Sequence, residues 1–341
     1  MDEAVIVIAD LYLHSDELPG ELAASPGALA GLDYAGRFGE RGRLPGGWRE
    51  WLARWLGRGD LAGVSVAAVA AAAVAAGAEA AARWIATPVE LVAGLTRLHL
   101  DRRGIVRLAP EEQAALAEAF HRTFAGSGLI LQPLSDGQFL AVTPGIVPVA
   151  TTEPARCAGG ALVVPQGASA APLLRLMGEI EMWLHGAALN RARAARGERQ
   201  VTALWLWGAA GGALPPAPPR RAASPTDVFG SDAFVAGLLR LDGRALRALP
   251  QRPATPFAEA RTARAAWVVE LAAEAPTEGP WVLSTAAAAL ERRLIGPALD
   301  ALRNGSLRRL TLIANDTRIA VGRRSGMKRW RRARDGLAAF V

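Results

Sequence analysis

Residues 169–212 read SAAPLLRLMGEIEMWLHGAALNRARAARGERQVTALWLWGAAGG. In this stretch Leu173, Leu176, Met177, Ile180, Trp183 and Leu184 recur at the three-and-four spacing of one helix face. Pro172 suits a first turn and Ser169 is available as a cap. Next comes a polar segment with Asn190, Arg191, Arg193 and Arg196, and then Val201 to Trp207, a continuous apolar run too short for a helix. Such a run suits a strand covered on both faces, and Gly208, Gly211 and Gly212 end it. A helix with one buried stripe feeding a buried strand points to an α/β protein with a mixed, mainly parallel sheet flanked by helices.

The order of these parts also suggests a site. Ligands of open α/β sheets gather outside the carboxyl ends of strands. Arg193 and Arg196 are three apart, so on a helical turn they share a face and can grip one oxyanion with forked donors. Asn190 and His185, in MWLHGAALN, stand beside them. The competing account is a solvated basic helix end, since a cation near a helix C-terminus is favoured by the dipole. The glycines at 208–212 are no dinucleotide fingerprint, because Pro215, Pro216, Pro218 and Pro219 forbid the helix that must follow one.

Asn190-x-x-Arg193-x-x-x-Gly197 followed by QVTALWLWGAAG resembles a block of the archaeal-type cofactor-independent phosphoglycerate mutases, a branch of the alkaline phosphatase superfamily. MWLH, N-x-x-R and LWLWG resemble still more closely the shortened bacterial relatives known as RpfE-type regulatory proteins. Thr202 stands where the mutases carry Asn, and Trp207 where they carry Arg. The resemblance implies an alkaline-phosphatase-like core with a smaller inserted α+β lobe.

Working outward, Ala4 to Ala9 reads as a central strand that delivers Asp10 at its tip. Superfamily enzymes begin in the same way with a metal-binding Asp and a Gly, and here Leu11 replaces the Gly. Trp48, Trp51 and Trp55 at helical spacing mark an amphipathic helix whose stripe is core or interface. Leu61 to Trp84 reads as Ala-rich helix, where the mutases carry a nucleophilic Ser followed by Asp; Ser65 is the only serine of this segment and Val66 follows it.

A strand in PVELVAGLTRLHL, a helix from Pro110 to Phe124 and a hairpin around Asp136-Gly137 follow. This order resembles the mutase lid, in which an acid-rich helix opens with two Glu. Here these are Glu111 and Glu112, which the helix dipole alone explains. The expected division is therefore a core of 1–86 and 144–341 and an inserted lobe of 87–143. The resemblance covers that lobe, residues 169–212 and the first strand, about a third of the chain.

Pro215 to Pro225 reads as a linker, Asp227 to Leu241 as a helix, and Ala265 to Leu271 and Trp281 to Ser284 as strands. A helix from Ala286 to Leu302 contains Pro297, and a strand from Leu310 to Ala314 ends in Asn315-Asp316-Thr317. A late mutase strand ends in a metal-binding Asp-His, so the resemblance makes Asp316 the surviving ligand with Thr317 in place of the His.

At 341 residues the chain can bury a large core, and 51% hydrophobic with 21% charged residues fits a packed protein. The net charge of +7 comes almost wholly from Arg, Lys328 being the sole lysine, and reads as compositional bias. The basic run from Arg318 to Arg334 holds Trp330, yet such runs are more often solvated surface than a nucleic-acid track. Cys157 is the only cysteine and reads as a passive thiol. Acids at Asp2 and Glu3 speak against a secretory leader, and Leu61 to Ala78 is too rich in Ala for a membrane span, so the expectation is a cytoplasmic protein.

Three functions follow. The leading one is a degenerate mutase-like protein, catalytically inactive and regulatory, which keeps a phosphate or phosphorylated-metabolite site at Asn190, Arg193, Arg196 and His185. It needs no cofactor, and its partners are a phosphorylated small molecule or another protein. The second is an active mutase or phosphohydrolase holding Mn or Mg around Asp10 and Asp316. Two-metal chemistry needs carboxylates and imidazoles converging on ions roughly 4 Å apart, and His14, His99, His121 and His185 follow no ligand spacing. The third is a nucleic-acid-binding regulator acting through the basic tail.

Overall fold

A computed structural model describes residues 1–13, 28–74, 81–94, 98–210, 225–250, 257, 259–274, 283–327 and 336–340. In chain order its elements are β1 (Glu3–Ile8), α1 (Ala30–Phe38), β2 (Glu40–Arg43), α2 (Gly47–Trp55), α3 (Val66–Ala71), β3 (Ala82–Ala93) and β4 (Leu98–Ile105). Next come α4 (Pro110–Thr123), β5 (Ile130–Pro133), β6 (Phe139–Thr143), β7 (Gly160–Ala161), α5 (Ala171–His185), α6 (Ala188–Ala195) and β8 (Ala203–Ala210). The last are β9 (Thr226–Phe229), α7 (Ala233–Leu241), β10 (Arg264–Val269), α8 (Leu283–Leu290), α9 (Gly296–Asn304), β11 (Arg309–Ala314) and β12 (Thr317–Gly322). The protein is mixed α/β and forms two compact units, one of Met1–Ala62, Pro219–Ser231 and Leu246–Val341, the other of Gly63–Pro218 and Asp232–Ala245.

The first unit holds the mainly parallel sheet, in the order β2-β12-β11-β1-β10-β9. β9, β10, β1 and β11 run parallel, and β12 and β2 are antiparallel. β1 lies inside the sheet, and its Ala4, Val5, Ile6 and Val7 are fully buried, as an unbroken apolar run requires. Three strands escape the apolar pattern, β2 because it is Glu-Arg-Gly-Arg and largely exposed. β9 occupies the start of the expected helix at 227–241, which begins only at Ala233 behind its Asp232 cap. β12 alternates buried and half-buried residues beyond the expected metal-binding strand end.

Leu283 and Ser284, expected in a strand, open α8, while residues 281 and 282 lie outside the described part. The expected helix over 286–302 is two helices joined by a π turn at Glu291–Ile295. Pro297 explains the break, since it has no N–H to donate and its ring crowds the preceding turn. The Glu291 carboxylate accepts from Gly31 N at 2.7 Å and Leu32 N at 3.2 Å, so it caps α1 from across the fold. Burial holds this carboxyl above its ordinary range. α2 carries the expected Trp stripe: Trp48 is buried, and Trp55 stacks on Trp51 and lies under the Arg264 guanidinium.

The second unit is built on an antiparallel sheet, β5-β6-β3-β4-β7, with β8 paired to the other edge of β3. This corrects two expectations. The strand expected at Val201 begins at Ala203, runs through Gly208, and belongs to this sheet and not beside the strands at Ala4 and Leu310. It is covered on both faces as its apolar run demands, but pattern alone does not say which sheet it joins. The expected lobe boundary at 86/87 also falls inside β3, whose pairing with β6 and β8 is continuous across it. The compact unit that contains β3 spans Gly63–Pro218 and Asp232–Ala245.

Of the helix expected over 61–84 the described residues show α3; residues 75–80 lie outside the described part and Ala82 already belongs to β3. α3 packs against α7, where Gly237 faces the Val69 carbonyl so closely that a Cβ would lie 1.9 Å from that oxygen. The helix at 171–185 forms as expected and buries Leu173, Leu176, Met177, Ile180 and Leu184. Its N-cap is Ala170, with Ser169 in the tight turn before it, so the serine does not cap. No helix among the described residues is long and apolar enough to cross a membrane.

Candidate functional site

Asn190 lies in the first turn of α6, Arg193 in its last turn and Arg196 at its C-cap, from which the chain returns through Gly197 to the start of β8. Asn190 is buried, and its amide nitrogen donates to the Leu184 and Val201 carbonyls, each at 2.8 Å. Its amide oxygen accepts from Val201 N at 2.8 Å. The side chain therefore ties the end of α5 to the beginning of the strand segment, with its donors and acceptor engaged by main chain. The cluster sits at the amino end of β8 and not beside Trp207, because only the short segment 197–202 separates helix from strand.

Arg193 and Arg196 share a face, and both donate to the carboxylate of Glu112 from the same chain. Arg193 Nη1 donates to Glu112 Oε2 at 2.6 Å and Arg196 Nη2 to Oε1 at 2.7 Å. Glu112 also accepts the N–H of Ala109 at the start of α4. Glu198 adds a second carboxylate, bidentate to Arg196, and is held below its ordinary range by that hydrogen bond. Arg193 Nε donates to the Arg199 carbonyl at 2.6 Å, and Arg199 pairs with Glu90 and Asp101. The arginine face is thus an ion network joining α4, α6, β3 and β4. His185 ends α5 exposed, with no hydrogen bond to these residues among those described.

The partner that sequence reasoning missed is Glu112. Its signal was present: a Glu three residues beyond Ala109, behind Pro110, is a capping position. The helix dipole accounts for that location but not for the two arginines that converge on it.

At the carboxyl end of the parallel sheet, Asp10 follows β1. Its Oδ1 accepts from Leu271 N at 2.6 Å and its Oδ2 from Ala272 N at 2.9 Å, so it caps the helical turn after β10. Asn315 and Asp316 have φ of 48° and 52° and form the two-residue hairpin between β11 and β12. Two consecutive positive φ values define the hairpin turn that favours Asn and Asp. The expected strand-end ligand is therefore a turn residue, and its carbonyl accepts from Leu44 N. Asn315 Nδ2 donates to the Leu13 and Phe340 carbonyls and closes this end of the sheet. Ser65 caps α3 by accepting from Ala68 N at 3.2 Å. Among the described residues, no group of three or more His, Cys, Asp or Glu could hold a metal ion. His14 and the tail residues 328–335 lie outside the described part.

A buried polar chain crosses the second unit. Trp207 Nε1 donates to Thr87 Oγ1 at 2.8 Å, and the threonine hydroxyl donates to Gln138 Oε1. Gln138 Nε2 donates to Asp136 Oδ2 at 2.9 Å, and the same oxygen accepts from Ala233 N at the start of α7. Burial, reinforced by the neighbouring Asp232, raises the Asp136 carboxyl above its ordinary range. Only the Asp136-Gly137 turn of this chain was visible in sequence.

No protein-family model matches the chain, and no curated protein matches it. Among solved structures it is similar to the PH0037 protein from Pyrococcus horikoshii, with a TM-score of 0.47 and 13% identity over 94% of this chain and 87% of that one. It is also similar to the cofactor-independent phosphoglycerate mutase from Thermoplasma acidophilum DSM 1728, with a TM-score of 0.39 and 14% identity over 94% of this chain and 89% of that one. Both scores lie below 0.5, too low to transfer an activity or a ligand to this chain.

Proposed function

We propose that this chain is a non-catalytic, regulatory protein on a phosphoglycerate-mutase-like scaffold. The observation that carries the reading is Asp10, the residue that the sequence resemblance casts as a metal ligand. Both of its carboxylate oxygens accept main-chain N–H groups, an arrangement that serves a helical turn. Ser65 and Asp316 support it in the same way, as a helix cap and a hairpin turn. A two-metal phosphotransfer centre needs an activated nucleophile between its ions, and each residue cast in those roles is engaged by its own local structure.

A phosphorylated ligand enters, on this reading, at Arg193 and Arg196 by displacing Glu112, since forked donors that grip a carboxylate also grip a phosphate. Metal analysis of protein purified without chelator, with a coupled mutase assay in added manganese, tests the non-catalytic half. Bound metal at two equivalents with turnover of about ten per second overturns it. Calorimetric titration with phosphate and with 3-phosphoglycerate tests the other half. Binding weakened about tenfold by Arg193→Ala supports the site, and no binding to the unmutated protein removes it.

A further inference from the structure

Among the described residues β5 lies at one edge of the antiparallel sheet and pairs only with β6. The register sets Ile130 opposite Val142, Leu131 opposite Ala141, Gln132 opposite Leu140 and Pro133 opposite Phe139. Just beyond, Leu134 N donates to the opposed Gln138 carbonyl at 2.8 Å. Opposed residues in an antiparallel pair alternate between exchanging hydrogen bonds and exchanging none. Counting back from Leu134, Gln132 and Ile130 bond toward β6, while Leu131 and Pro133 turn their main chain outward. Pro133 has no N–H. Leu131 therefore carries the outward donor of this strand, and it donates to His121 Nε2 at 3.0 Å from the last turn of α4.

We propose that His121 is a protonation-controlled latch between α4 and the β5 edge. A neutral imidazole with its proton on Nδ1 accepts the Leu131 N–H at Nε2, whereas the imidazolium is a donor at both nitrogens and sets two N–H groups head to head. The ordinary charge change of imidazole falls between about pH 5 and 8. Protonation thus releases an edge donor of the kind that templates strand pairing, beside the exposed Ile130 side chain.

On α4, Glu118 and Arg122 pair with each other at 2.5 Å. β5 and the turn at 124–129 contribute no titratable side chain. α6, which also packs on α4, brings Arg191, bonded to the Gly186 carbonyl, and Arg193, bonded to Glu112. α5 meets α4 through Trp183 against Phe120 and Phe124, and carries Arg175, Glu179, Glu181 and His185. Among the described residues none of these groups is ion-paired with His121.

Amide hydrogen exchange followed by NMR on the full chain tests the latch. At about pH 7.5 the Leu131 amide is expected to be protected like those of Ile130 and Gln132. At about pH 5, after correction for the intrinsic pH dependence of exchange, its protection falls about tenfold while theirs holds. In His121→Gln, whose amide oxygen accepts at every pH, Leu131 stays protected throughout. Constant protection in the unmutated protein, or an equal loss in His121→Gln, overturns the proposal. So does a nitrogen-15 spectrum that places the neutral imidazole proton on Nε2.

Discussion

Glu112 and Arg193, 81 residues apart in the chain, meet at 2.6 Å and join the first turn of α4 to the last turn of α6. The Arg193 side chain is 9% exposed and that of Glu112 17%, so the pair is largely shielded from solvent, whereas Arg196 on the same carboxylate is 49% exposed. Depth separates what the two contacts contribute. Charge-assisted hydrogen bonds strengthen as water is excluded, and exposed pairs contribute little.

Removing the carboxylate should therefore destabilise through Arg193. Glu112→Ala leaves a shielded guanidinium whose remaining partners among the described residues are the Arg199 carbonyl and the Glu198 carboxylate at 3.5 Å, and a loss of about 2–3 kcal/mol is expected from urea unfolding. Arg196→Ala should barely move the same midpoint. Equal losses in the two variants would contradict the depth argument.

Asn190 should report on folding and not on ligand. Asn190→Ala strands the Val201 N–H and the Val201 carbonyl in a buried place, while the Leu184 carbonyl keeps the Ala187 N–H, at a cost of about 2–3 kcal/mol. Asn190→Asp can still accept from Val201 but cannot donate to Leu184 or Val201, and should be comparably unstable. A variant of normal stability that instead loses phosphate affinity would return this residue to the ligand site.

Asp136 predicts the sign of a pH effect. Its folded-state pKa is raised by burial and by Asp232, so the folded state binds the proton more tightly than the unfolded state. Its favourable contribution is present below the ordinary carboxyl range of about 4. That contribution is lost as pH rises toward the raised value. Asp136→Asn removes this dependence while giving up one acceptor. The stability of the variant relative to the parent should accordingly increase as pH rises from about 4 through the raised value, measured by urea unfolding at each pH. A constant difference would mean that the carboxyl is not raised.

Gly237→Ala should push α7 away from α3. Its Cβ would lie 1.9 Å from the Val69 oxygen and 2.7 Å from its carbonyl carbon, both backbone atoms that cannot rotate aside. A loss of about 1–3 kcal/mol is expected by thermal unfolding, despite the better helix propensity of alanine. A gain in stability would show that the two helices part without cost.

The sequence determined those elements whose physics is local. The buried stripe of α5 follows from six apolar residues at helical spacing, and the β5–β6 hairpin from Asp136-Gly137, where Gly137 takes a φ of 83°. β1, β10 and β11 follow from short apolar runs that bury on both faces. That Arg193 and Arg196 share a face was legible too, because positions three apart on a helix do so. What the sequence left open was the source of the oxyanion and the allegiance of each strand. Glu112 reaches Arg193 only because the fold brings α4 against α6, and β8 joins β3 because pairing is decided by available edges, which an apolar pattern does not encode. Asp10 shows the same limit. A carboxylate at a strand tip reads alike as ligand or cap until the neighbouring backbone is in place, and here the N–H groups of Leu271 and Ala272, more than 260 residues away in the chain, decide the matter.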